Sequence, residues 1–450
     1  MKFNTFIPYL ALALAVALQG ITLIYTPPGS YKRICMLPVV LLPIAIVCLT
    51  AHHASNFQPW NIFLGLQFGA VLALEVFNNV CLSKISYPAA AAAARAVGAA
   101  GDRKKHDGDA DTADIHAASA WSCFHDKVRW SLDIAFNRRR IGRADQVRNV
   151  PDFDSSRPHH IPSRRSFLLF RTARFILLYL ALDLATSQPL EDAQVKFAPG
   201  KDRIFARIIA NDISPAEIGE TVGILVGHLV CGYISLLLGY DLFSLVAVGL
   251  CGNKVAGWRP LFGDIRRVYS IRTFWRFFWH QLLLRSLDAN ASFITHSVLG
   301  LPRRPARNTK RVASADNSNG RASTAKTHLR WQDKLLSLVA STTRLNLIFL
   351  ISGVVHLASD SILGIPLRDS RCISMFLWQA WGIMFEDAVK WIYRRVTGSK
   401  GDGPVKVWQR LVGCAWLVVF ALWSGTAWGF SVLRDGDPTV VMPITIFPRA

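Results

Sequence analysis

An all-α, polytopic integral membrane helical bundle is the fold class that this chain of 450 residues predicts, and three observations carry the prediction. Half of the residues (51%) are hydrophobic and only 18% are charged, giving a mean hydropathy of +0.28, too apolar for two or three soluble domains. The apolar residues gather into stretches long enough to cross a bilayer, which takes roughly 20 residues of helix. The surplus of Lys and Arg behind the net charge of +21 falls between those stretches, the pattern of cytosolic loops facing anionic lipid rather than of a nucleic-acid surface. Eight cysteines are scattered without a CxxC pair or other ligand spacing, so neither a disulfide framework nor a metal site is expected.

Phe6–Ile24, Ile34–His52 and Trp60–Leu82 are the three opening spans, and the first follows only one basic residue, Lys2, which argues for a retained span over a cleaved signal peptide. Pro38 and Pro43 would kink the second, which a bundle tolerates. Residues 83–165 change character to a basic extramembrane loop, partly disordered. Within it, Trp121, Phe124, Val128, Leu132 and Phe136 recur at helical spacing opposite Lys127, Arg129 and Arg138. That pattern suits an amphipathic helix lying on the membrane, or equally a helix packed on another loop.

Ser166–Leu184 is the fourth span, with Arg171 and Arg174 expected to snorkel to the interface. Glu217–Gly239 is the fifth; His228 inside it reads as a satisfied core histidine, and Asp241–Leu250 is too short to cross alone. Gly252–Ile294 mixes aromatic rings with arginines, as a segment embedded part-way into the membrane would. A basic Ser/Asn/Ala-rich loop (301–334) is expected to be disordered. Leu335–Ala358, Cys372–Tyr393 and Val407–Phe430 complete about eight spans plus one membrane-embedded segment. The organisation is thus 1–82 (spans), 83–165 (basic loop), 166–300 (spans and embedded segment), 301–334 (loop) and 335–450 (closing spans). With both long basic loops cytosolic, both termini and Ser361–Arg371 fall on the lumenal side, as they would in the endoplasmic reticulum.

His356 is the only titratable side chain between Arg344 and Asp360, and it stands toward the lumenal half of an otherwise apolar helix. An ionisable group at membrane depth is costly and needs a reason. Two readings are open from this helix alone, a buried general base or a histidine bonded to a helix carbonyl for packing. Ser352 and Gly353 let a neighbouring backbone come close. Asp360 lies four residues on, on the same helix face, where it either orients the ring or, as favoured, ends the helix at the surface. Glu386 and Asp387 lie in a span and need partners, for which Arg394 is the nearest candidate.

Three motifs in fixed order resemble the fungal wax-synthase-like branch of the membrane-bound O-acyltransferases. These are Trp258–Gly263 (WRPLFG), then Tyr269–Trp275 (YSIRTFW) leading into Trp279, His280, Gln281 and Arg285, then Ser352-Gly353 with His356. The tail Gln379–Asp387 (QAWGIMFED) is similar as well, and Lys127–Asp133 with Ile141-Gly142 resembles the amphipathic segment that precedes the core. Arg139 and Arg140 depart from that pattern, standing where a small residue is expected. The resemblance implies transfer of an acyl group from coenzyme A to a hydroxyl, with a buried histidine as base; fungal members are often acetyltransferases of terpenoid or meroterpenoid alcohols, and some relatives make wax esters.

The residues suit that chemistry. An alcohol attacking a thioester needs a base, and His356 in an apolar helix is the candidate. His280 and Gln281 are candidate donors to the oxygen that becomes negative, the alternative being an interfacial aromatic belt. Arg272, Arg276 and Arg285 with Trp279 are the candidate coenzyme A contacts, since guanidinium pairs well with phosphate; lipid headgroups are the alternative. Acetyl-CoA is thus the expected acyl donor, with a small-molecule alcohol, membrane lipid and no nucleic acid or metal as partners. The HxxxD spelling of His356 and Asp360 matches a soluble acyltransferase signature by accident, because the accompanying DFGWG segment is absent. Long-chain transfer to a fatty alcohol is the rival within the enzyme class. A transporter is the rival outside it, disfavoured by the lack of internal repeats or paired broken helices.

Overall fold

The computed structural model describes residues 3–88, 112–303, 331–398 and 403–448, and among them every regular element is a helix. The Ala-rich and acidic tract at 89–111 and most of the second basic loop, 304–330, lie outside the described residues. Trp331 already belongs to the helix that follows, so the loop ends a few residues earlier than its composition implies.

Helices α1 (Ile7–Tyr25) and α2 (Tyr31–Thr50) form an antiparallel hairpin across the turn at Gly29, where φ is +77°. Ser30 starts α2 by accepting from the backbone N–H of Arg33. Helix α3 (Gln58–Leu82) packs Leu72, Val76 and Val80 onto Ala15, Leu23, Val40 and Ile44 of that hairpin. Helix α4 (Thr112–Phe136) contributes Ile134 to the same core, while Phe124, Val128, Leu132 and Phe136 remain exposed along one side.

Helix α5 (Arg164–Ala185) runs beside α6 (Pro215–Gly249). At 35 residues, α6 is about 50 Å long, well beyond the hydrocarbon core of a bilayer. The apolar stretch at 241–250, too short to cross alone, is therefore the continuation of the fifth span. Asp241 explains how: it is fully buried inside the helix and paired with both Arg171 and Arg174. Those arginines do not snorkel to the interface as expected, because a buried carboxylate offers the better partner.

Residues 252–283 carry two short helical turns and one helical run, Ile271–Thr273 continuing into Phe274–Phe278, before α7 (Leu284–Phe293). The backbone of this segment doubles back tightly: Gly263 N–H donates to Phe278 O at 2.9 Å, and a Cβ at Gly263 would lie 1.8 Å from Phe277 O. Only glycine fits there.

The last three helices are α8 (Trp331–Ile362), α9 (Cys372–Thr397) and α10 (Val407–Asp435). Gly353 lets α8 and α9 touch, since a Cβ there would stand 2.8 Å from Ile373 Cα. Among the described residues six helices, α1, α2, α3, α6, α8 and α10, are long and apolar enough to cross a membrane. The other two expected spans, α5 and α9, form helices of 22 and 26 residues but carry charged side chains. In α9 those charges are matched, though not by Arg394. Glu386 accepts from the backbone N–H of Ile271 at 2.6 Å and stands 3.6 Å from Lys390, and Asp387 pairs with Arg272.

Candidate functional site

His356 sits on α8 with its Nδ1 2.7 Å from the carbonyl oxygen of Ser352, one turn back. A carbonyl only accepts, so Nδ1 carries the proton and Nε2 keeps its lone pair. Both sequence readings are thereby present in one residue: a ring held by a helix carbonyl, with a basic nitrogen left over. The imidazole lies 4.5 Å from the Phe376 ring of α9 and 5.6 Å from the Trp428 indole of α10, the latter almost perpendicular. Three helices thus fix its orientation.

Asp360 does not end α8 at the surface. It is completely buried and accepts from Trp428 Nε1–H at 3.0 and 3.1 Å and from the Ser370 hydroxyl. Nearby, the Cys372 thiol donates to Gly353 O at 3.3 Å, tying the start of α9 to the Ser352-Gly353 turn.

His280 approaches from the embedded segment. The Phe274–Phe278 turn unwinds at Trp279, whose backbone is extended, and the chain delivers His280 between Trp279 and Phe262 at ring distances of 5.4 and 6.1 Å. Its Nδ1 is buried without a hydrogen-bond partner among the described residues. His356 and Arg139 both lie close enough to the His280 ring to interact with it electrostatically. His280 and His356, 76 residues apart in sequence, are therefore neighbours in the bundle.

Gln281 is placed differently from its neighbour. Its amide donates to the carbonyls of Arg148 and Asn149 at 3.0 and 3.2 Å, which occupies the donors that an oxyanion would need. It ties the embedded segment to the chain that follows α4. Gln379 acts similarly, accepting from Trp275 Nε1–H at 3.2 Å and donating to Ser424 at 3.1 Å, which links the embedded segment through α9 to α10.

The arginines divide into clamps and free cations. Arg285 is 9% exposed and binds Glu75 at 2.9 Å and Asp145 at 3.3 Å. Arg272 is paired with Asp387. Arg139 and Arg140, the two that depart from the family pattern, are both buried: Arg139 donates to Pro260 O, Arg259 O and Tyr240 Oη at 2.6 to 2.7 Å, and Arg140 reaches Asn79 at 2.8 Å and Glu75 at 3.7 Å. Arg138 is also buried, on Gln67 O, rather than on the solvated face assigned to it. By contrast, Arg267 and Arg276 both lie over one ring, Phe277, at 4.1 and 5.1 Å, and Arg410 lies 5.5 Å over Tyr269. None of these three has a carboxylate within ion-pair distance among the described residues. Trp279 stacks on Phe274 at 5.4 Å and stands 5.4 Å from the His280 ring.

Phe376 and Trp428, beside His356, and Arg410, over Tyr269, are residues around the candidate site that the sequence did not single out. Phe376 and Trp428 lie on other helices among many aromatic residues, and only packing distinguishes them. His228 makes no hydrogen bond to protein among the described residues, so it is not the satisfied core histidine that its position implies. No group of His, Cys, Asp and Glu able to hold a metal ion occurs among the described residues.

The profile of the membrane bound O-acyl transferase family matches residues 258–315, the stretch that delivers His280, Arg276 and Arg285. Acetyltransferase fsoF of Humicola fuscoatra is 30% identical over 351 residues, covering 76% of this chain and 75% of the relative. Acetyltransferase ataH of Aspergillus terreus is 31% identical over 314 residues, 68% of this chain and 90% of the relative. Acetyltransferase pyr8 of Aspergillus fumigatus is 29% identical over 419 residues, 91% of this chain and 82% of the relative. No solved structure matches the chain.

Proposed function

We propose a specific reaction for this chain, which belongs to the membrane-bound O-acyltransferase family and is an integral membrane acyltransferase. It moves the acetyl group of acetyl-CoA onto a hydroxyl of a terpenoid or meroterpenoid alcohol, with His356 as the general base. The observation that carries this reading is the His356 tautomer. Its Nδ1–H is spent on Ser352, which leaves Nε2 as an acceptor inside an apolar bundle, where a hydroxyl can give up its proton.

The alcohol oxygen attacks the thioester carbonyl carbon as its proton passes to Nε2. A tetrahedral intermediate forms with negative charge on the carbonyl oxygen. His280, whose Nδ1 has no protein hydrogen-bond partner among the described residues, supplies the N–H to that oxygen. Collapse breaks the carbon–sulfur bond, and the imidazolium returns its proton to the departing thiolate. No acyl-enzyme is needed, because the thioester is already activated.

For the donor, Arg276 with Arg267 and Arg410 supplies the contact to coenzyme A phosphates, and Trp279 stands beside the His280 ring. Arg272 and Arg285 support this site through their carboxylate partners. The acetyl group follows the relatives, whose names describe acetyltransferases, and the terpenoid or meroterpenoid acceptor follows the resemblance to the fungal branch of the family.

The test is acyl transfer by microsomes carrying this chain or its His356→Ala variant, supplied with labelled acetyl-CoA or palmitoyl-CoA and a panel of terpenoid and fatty alcohols. Acetyl ester formed by the parent chain and lost in the variant at equal protein level is the expected result. Ester formed only from palmitoyl-CoA would replace the acetyl reading with long-chain transfer. Activity surviving in the variant would remove His356 as the base.

A further inference from the structure

We propose that Asp360 is a positioning residue for His356 and acts through the indole of Trp428, not by touching the imidazole. His356 and Asp360 lie one helical turn apart on α8, yet the ring nitrogen that a carboxylate would ordinarily hold is taken by Ser352 O at 2.7 Å. The carboxylate reaches across to α10 instead. Both of its oxygens accept from Trp428 Nε1–H, at 3.0 and 3.1 Å, although the two residues are 68 positions apart.

Asp360 is completely buried, and no Lys or Arg lies within ion-pair distance of it among the described residues. Its partners all donate: the Trp428 indole, the Ser370 hydroxyl and, at 3.5 Å, the Ser359 hydroxyl. Burying a carboxylate without a cation is costly, so a place in the bundle that keeps one calls for a task. The task is visible in the rings. Trp428 presents its indole to the His356 ring at 84°, Phe376 covers the imidazole at 35°, and the Phe376 and Trp428 centroids are 6.0 Å apart. A tryptophan can rotate about its side-chain bonds, and pinning its N–H to Asp360 selects the one orientation that closes the slot around His356. Nε2 is then held in a fixed direction while Nδ1–H stays on Ser352.

The inference rests on His356 being the base, so its test includes a readout that does not depend on activity. Carbethoxylation by diethyl pyrocarbonate is followed by peptide mass spectrometry on the full chain in microsomes, with the rates at His356, His228 and His296 measured together. Trp428→Phe keeps a ring but loses the N–H, and Asp360→Ala removes the acceptor. Each is expected to raise the His356 rate about tenfold, the scale of one hydrogen bond to a carboxylate, with His228 and His296 unchanged. Combining them should add nothing further, because both break the same link. Asp360→Asn, which preserves an acceptor oxygen for the indole, should stay within about twofold of the parent and remains informative if Asp360→Ala does not fold. Unchanged His356 labelling in Trp428→Phe, losses that multiply in the double variant, or labelling that rises equally at all three histidines would overturn the proposal. If His356→Ala were active in acyl transfer while this labelling pattern held, the base assignment would fall and the positioning link would stand.

Discussion

Arg285 on α7 binds Glu75 on α3 at 2.9 Å, across 210 residues of sequence, with both side chains almost wholly buried. Glu75 also accepts from the Ser286 hydroxyl, and Arg140 stands 3.7 Å away, so one carboxylate gathers α3, α7 and the segment after α4. Removing one member of such a buried group strands the others, which costs about 3–5 kcal/mol. Arg285→Ala is therefore expected to lower the melting temperature of the detergent-solubilised protein sharply. A change in the KM for acetyl-CoA without loss of stability would instead put Arg285 on the coenzyme, as its sequence position implied.

The two groups of arginines make opposite predictions. Arg276 and Arg410 have no carboxylate partner among the described residues and rest on aromatic faces, so replacing them with Ala removes little from the fold. Each replacement should raise the KM for acetyl-CoA about tenfold, the scale of one charge-assisted contact to phosphate, with kcat nearly unchanged. Steady-state rates at varied acetyl-CoA check this. The same KM in the variants and the parent would assign these cations to lipid headgroups.

The helices at the eight expected spans were legible because length and apolarity are local properties, although α5 and α9 carry charges that keep them from being apolar enough on their own, and α2 runs unbroken through Pro38 and Pro43. Which charge meets which was not. Asp241 looked like a break between two apolar stretches, whereas Arg171 and Arg174 of α5 allow α6 to carry it through the membrane. At the site, the helical spacing put Asp360 on the same face as His356, but nothing local revealed that Ser352 O would claim the ring and that the indole of Trp428, on α10, would claim the carboxylate. His280 and His356 were readable as separate motifs, and their proximity is tertiary. The departures at Arg139 and Arg140 found their reason in the same way: buried carbonyls and a carboxylate on other elements wait for them.

Gly263 tests how tightly the embedded segment must turn to deliver His280. A Cβ there would fall 1.8 Å from Phe277 O, a backbone atom that cannot rotate aside. Gly263→Ala should cost about 1–3 kcal/mol in overpacking strain and reduce acyl transfer beyond what lost protein explains. Activity per folded molecule measured after size-exclusion separates the two effects. Full specific activity in the variant would show that the turn is not needed to place His280.

Helix α4 joins the bundle by one face and leaves another apolar. Ser131 packs against Gly20 of α1, where a Cβ would lie 2.7 Å from its hydroxyl, and Ile134 and Ala135 are buried. Val128, Leu132 and Phe136 are 41–47% exposed at intervals of four residues, a stripe that a helix in contact with lipid would show. With the inner face already occupied by α1, the outer stripe has the hydrocarbon boundary as its natural cover, and the choice between a membrane-lying helix and one packed on another loop becomes measurable. A nitroxide attached at Leu132→Cys in reconstituted protein should be more accessible to oxygen than to a water-soluble nickel chelate, and one at Arg129→Cys should show the reverse. Equal protection of both positions from both reagents would mean that protein covers the stripe.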